Sequence, residues 1–232
     1  MNTKKYEGNY VKAVCTMISR GDISNINDLK EYLKYMNFDS PVRAIYSELN
    51  MLLGVETESI NPEYYISDFG SEKEYSPIDL ILYSCVCNNA FSIQKKELLK
   101  EIIKLDSIDF SNVSRTLEFA VSKGNLELFE MLVKLKPNYN TKYSILRNGD
   151  FSSILDSCLT IAMCRLTING ESTSRSYPKE IFDYLISLKD EADLSLMKPT
   201  KSILECFEEF SGIKPSSDIF NDVKMAVENY KK

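Results

Sequence analysis

The chemistry open to this chain is bounded first by a side chain it lacks: none of its 232 residues is histidine. Histidine is the usual general base near neutral pH and the commonest metal ligand. Its absence excludes hydrolases built on a His-activated serine or cysteine, and His-ligated zinc sites with them. Six cysteines remain: Cys15, Cys85, Cys87, Cys158, Cys164 and Cys206. All lie among apolar neighbours at helical spacing, which predicts reduced, buried thiols acting as small hydrophobes. Thiolate metal sites pair ligands roughly two to four residues apart. The one residue between Cys85 and Cys87 is too short a spacer, and on a helix the two side chains diverge. Glu208 and Glu209 are adjacent carboxylates, but side-by-side helix residues point apart, so they read as a solvated face. Gly149-Asp150 and Asn169-Gly170 are turn dipeptides, and no glycine-rich phosphate loop is present. No catalytic residue, metal ligand or cofactor is assigned, and any enzyme here would have to work without histidine, on carboxylate, lysine, tyrosine or cysteine.

The net charge is −6 and the pI about 5.0, which argues against nucleic acid and against an anionic membrane surface as partners. A hydrophobic content of 44% with 27% charged residues places the chain among folded proteins. No apolar run approaches a membrane span, and no apolar signal core follows Lys4 and Lys5, so a cytoplasmic location is expected. Its length suits one large domain or one solenoid.

The elements that must position any site are helices. Arg115 to Asn140 reads RTLEFAVSKGNLELFEMLVKLKPNYN. Leu117, Ala120 and Val121 have helical spacing before Gly124; Leu126, Phe129, Leu132 and Val133 have it after. Gly124 suits a left-handed helix stop, Asn125 suits a cap for the next helix, and Pro137 ends the unit. A pair this short buries one face and needs like neighbours.

Such neighbours recur. Val11, Val14, Cys15 and Ile18 form a face ending at Arg20-Gly21-Asp22, and Ile26, Leu29, Leu33 and Met36 form another. Ser40-Pro41 predicts a helix start, with Ala44, Ile45, Leu49, Leu52 and Leu53 on its apolar side and Gly54 as its stop. Ser76-Pro77-Ile78-Asp79 opens a helix through Val86, whose partner carries Leu98, Leu99, Ile102 and Ile103. Arg115 follows Ser76 by 39 residues, and Ser153 follows Arg115 by 38. The Ser153 helix is paired with Pro178–Ile186, and a last pair begins at Ser202. The expected fold is all-α, an α-solenoid of stacked antiparallel helix pairs. Residues 1–54 read as degenerate N-terminal capping repeats and 76–232 as the repeats proper, with a polar insertion near 168–177 and a C-terminal cap. Residues 55–75 are an inserted stretch with six acidic residues and one lysine, interleaved with aromatics.

The frame resembles the ankyrin repeat, whose unit opens with Thr-Pro-Leu-His-x-Ala, turns through Gly-His or Gly-Asn and closes on a leucine-rich helix. Ser76-Pro77-Ile78-Asp79 is similar to the first motif, and Ala120 to Val133 is similar to most of one repeat. Where the family has histidine, this chain has Asp79, Glu118, Asp156 and Glu205. An acid there is expected to accept a hydrogen bond from the backbone of a neighbouring repeat. The resemblance implies a non-enzymatic protein-protein interaction module with an extended concave surface. The partner-binding candidates are Tyr64, Tyr65, Asp68, Phe69 and Tyr75, since tyrosine supplies rigid contact area and acidic residues steer a basic partner surface. Abundant Ile, Asn, Lys, Ser and Tyr fit an AT-rich coding sequence, a setting of intracellular bacteria and large DNA viruses. A host-directed effector is one reading, and an acidic immunity protein neutralising a toxin is the alternative.

Overall fold

The computed structural model describes residues 3–53, 72–87, 93–140, 142–144, 151–155, 157–159, 161–162, 165 and 177–188, and these are mostly helical. No helix among them is long and apolar enough to cross a membrane. The chain divides into two compact units, Met1–Thr116 with Leu135–Pro137, and Leu117–Lys134 with Asn138–Lys232.

In the first unit, α1 (Thr3–Arg20) and α2 (Ile26–Leu33) form the predicted N-terminal pair. Val14, Cys15 and Ile18 of α1 and Leu29 of α2 are completely buried. The helix stop is the predicted one. Gly21 has φ +86°, its amide donates to Ile18 O at 3.1 Å, and the Asp22 amide donates to Met17 O at 2.8 Å. These two bonds satisfy two of the orphan carbonyls at the end of α1. Asn25 then caps α2 through its side-chain oxygen, which accepts from the Asp28 amide at 3.0 Å.

The predicted helix from Ser40 is only half right. Val42–Ile45 is a strand, β1, and the helix α3 starts after it, at Tyr46–Leu53. β1 pairs antiparallel with β2 (Glu72–Tyr75), Val42 opposite Tyr75 and Ile45 opposite Glu72. Val42 and Ala44 are buried while Arg43 is exposed, the two-residue period of a strand. The pairing partner lies some thirty residues downstream, so no local pattern announces it. β2 also takes the last four residues of the expected 55–75 insertion into the fold.

The next pair is α4 (Pro77–Val86) and α5 (Ile93–Ile102). α1 packs on α4 and α2 on α5, first helix to first and second to second. Every residue of α4 is buried. Pro77-Ile78-Asp79-Leu80-Ile81-Leu82-Tyr83-Ser84-Cys85-Val86 is apolar almost all round, the signature of a helix covered on every side. A solenoid whose inner surface is open leaves its first helices half solvated; α4 is not.

α6 (Ser114–Lys123) begins in the first unit and continues in the second, where α7 (Leu126–Val133) follows. The turn repeats that of Gly21. Gly124 has φ +59°, its amide donates to Val121 O at 3.1 Å, and the Asn125 amide donates to Ala120 O at 3.0 Å. Asn125 also caps α7, accepting from the Leu128 amide at 3.1 Å. α7 packs on α8 (Lys179–Ser187), with Phe129 and Tyr184 edge to face at 5.5 Å. Between them, β3 (Lys142–Ser144) and β4 (Phe151–Ser153) form a second unpredicted ribbon. The residues described from 154 to 165 are helical, as expected after Ser153. The predicted polar insertion ends differently from expectation. Tyr177 is buried, and its hydroxyl donates to Val121 O at 2.8 Å. Residues 168–176 and the expected pair after Ser202 with its C-terminal cap lie outside the described residues.

One recurrent turn escaped the sequence reading. Asn37, Asp109 and Asn138 each accept, on a side-chain oxygen, the amide two residues on: Asp39 at 3.1 Å, Ser111 at 2.8 Å and Asn140 at 3.1 Å. The middle residues are Phe38, Phe110 and Tyr139, and the last two are buried.

The two glycines separate backbone strain from crowding. A Cβ on Gly21 meets nothing within 4 Å, whereas on Gly124 it meets Pro178 Cδ at 3.0 Å and the Tyr177 ring at 3.1 Å. Gly21→Ala is expected to cost about 1–2 kcal/mol, the left-handed penalty alone. Gly124→Ala is expected to cost more, because the tyrosine that seals the α6–α7 turn must move. Urea midpoints of the two variants measured side by side check the order.

Candidate functional site

Asp79 occupies the first turn of α4, one of the four acidic positions picked out in the sequence. Its carboxylate is 1% exposed. Oδ1 accepts from the Thr116 amide at 2.9 Å and the Thr116 hydroxyl at 2.7 Å. Oδ2 accepts from the Arg115 amide at 2.7 Å and, more weakly, from Ser114 Oγ at 3.4 Å. These amides belong to the first turn of α6, where backbone donors have no partner within their own helix. Asp79 therefore caps a helix in the next pair, as the sequence predicts of an acid at this position. Arg115 is buried beside it. Its guanidinium lies over the Tyr83 ring, 4.8 Å from the centroid, and Nη2 donates to the Tyr83 hydroxyl at 3.2 Å.

Burial pushes the Asp79 carboxyl up from its ordinary value, and the donors of Thr116 and Arg115 and the Arg115 charge pull it back only in part. At Glu118 one partner is a hydroxyl. The Ser157 hydroxyl donates to Glu118 Oε1, side chain to side chain, with both residues buried. Asp156 and Glu205, the other expected acids, lie outside the described residues. This arrangement locks helices together and offers no reacting group to solvent.

The cysteines assigned to the core are found there where they are described. Cys15, Cys85, Cys87 and Cys158 are free and buried. Burial pushes the Cys15 thiol up to about 12 and that of Cys87 to about 11. Cys85 is raised as well, and Cys158 is raised by burial and by the nearby Glu118 charge. Thiols held protonated are poor nucleophiles and poor metal ligands. Cys164, Cys206, Glu208 and Glu209 fall outside the described residues.

Of the expected contact residues, Tyr64, Tyr65, Asp68 and Phe69 also fall outside the described residues. Tyr75 is described, and it is a correction: it is 5% exposed, on β2 opposite Val42. Its ring fills the core and supplies no contact area to a partner. What the structure gives instead is the two ends between which residues 54–71 lie. Leu53, the last residue of α3, is buried, and its carbonyl accepts from Ser19 Oγ at 2.6 Å. The Ser19 carbonyl accepts from Lys95 Nζ at 2.6 Å, which ties the end of α1 to α5. The return is fixed by the β1–β2 register, with Arg43 and Glu74 paired at 2.8 Å on the exposed side. That surface pair adds little, up to about 1 kcal/mol. Ser19 and Lys95 were not singled out in the sequence, since a hydroxyl and an ammonium that close helix ends leave no periodic signal.

Comparison of the chain with family models, curated proteins and solved structures finds no match.

Two experiments probe the latch. Thr116→Val keeps the shape and removes the hydroxyl donor to a buried carboxylate, so unfolding free energy is expected to fall by about 1–3 kcal/mol in urea titrations. Asp79 also carries a pH signature. Its folded pKa lies above the ordinary 3.8, so its stabilising contribution is complete below that value and is lost as pH rises through the folded pKa. The stability difference between the wild type and Asp79→Asn is therefore expected to shrink with rising pH across that window, read from unfolding at successive pH values. For the thiols, a Cys164→Ser/Cys206→Ser variant is expected to react with an aromatic disulfide reagent only after denaturant is added.

Proposed function

We propose that the chain is a non-enzymatic protein-binding module that presents the acidic, tyrosine-bearing segment 54–71 from a fixed helical frame to a partner with a basic surface. The observation that carries this is a mismatch between gap and length. α3 has eight residues and rises about 12 Å from β1 to Leu53. Ile45 is paired with Glu72, which adds roughly 5 Å. Leu53 and Glu72 are thus no more than about 17 Å apart, a gap that about six extended residues span. The chain uses 18 residues there. Long segments on rigid scaffolds are where binding residues concentrate.

The helix-pair stacking of α1 on α4 and α2 on α5 supports an ankyrin-like solenoid as the frame. The burial of all of α4 speaks against an open concave face as the docking surface and favours the inserted segment. Tyr64, Tyr65 and Phe69 are the proposed contact residues, with Asp68 contributing charge. In the setting drawn from composition, the partner is a host protein.

The test uses affinity capture from the native host's lysate with two variants. Replacing residues 54–71 by a Gly/Ser linker of about six residues is expected to leave the helical circular dichroism and melting temperature unchanged and to abolish capture. Tyr64→Ala/Tyr65→Ala/Phe69→Ala is expected to weaken binding at least about tenfold, and added salt to weaken wild-type binding further. Capture unaffected by either variant would refute the assignment of the segment.

A further inference from the structure

We draw no further inference here: the strongest candidate, the cluster of buried thiols formed by Cys15 of α1 with Cys85 and Cys87 at the end of α4, is set apart from ordinary core packing only by raised pKa values and meets no second feature that points to a ligand.

Discussion

A carboxylate buried in an apolar helix dictates much of this structure. Every face of α4 is covered, so the negative charge of Asp79 has no water to solvate it. Burying an ionised carboxylate without partners costs several kcal/mol. The donors that offset this cost are the amides of Arg115 and Thr116, 36 and 37 residues away. Those amides are themselves orphans of a helix start, so each group answers a deficit in the other. The start of α6 is thereby fixed against the start of α4, and a slip of one residue would leave both sets unmatched. Arg115 adds a second constraint, because its buried guanidinium is accommodated by the Tyr83 ring and hydroxyl on α4. Packing alone tolerates sliding more readily than this geometry does.

Glu118 shows the same idea with a longer arm. Its carboxylate accepts from the hydroxyl of Ser157. Its negative charge helps to hold the buried Cys158 thiol protonated. Asp79 grips a helix terminus, and Glu118 grips the hydroxyl of Ser157.

The parts of the fold legible in the sequence are those set by near neighbours. Gly21 and Gly124 end helices at positive φ, Asn125 caps the following one, and the recurring apolar faces carry the pairing of α4 with α5. The capping role of Asp79 was legible too, because it follows from where an acid falls on a repeating frame. Residues whose environment is made by distant chain escaped. β1 was read as helix because Ala44, Ile45 and Leu49 satisfy a helical face, and its ladder with Glu72–Tyr75 is a long-range fact. Tyr75 and Tyr177 were placed in insertions by their polar neighbours, yet both are core residues. The complete burial of α4 is visible in its nearly continuous apolar run, interrupted only by Asp79 and Ser84.

Burial also bears on the proposed binding role. A helix covered on all sides, as α4 is, has no surface to lend. The exposed sides of α2 and α5 carry charges in opposite pairs, Glu31 with Lys34 on and just beyond α2, and Glu97 with Lys100 on α5, with Glu101 and Lys104 at its end. Paired charges at this spacing cancel beyond a few ångströms and steer nothing. Segment 54–71 contains Glu56, Glu58, Glu63 and Asp68 and no lysine or arginine, a charge of −4 in a chain whose total is −6. Under the proposed function, this acidic stretch with Tyr64, Tyr65, Ile66 and Phe69 is the part of the chain that would attract a basic surface and then contact it.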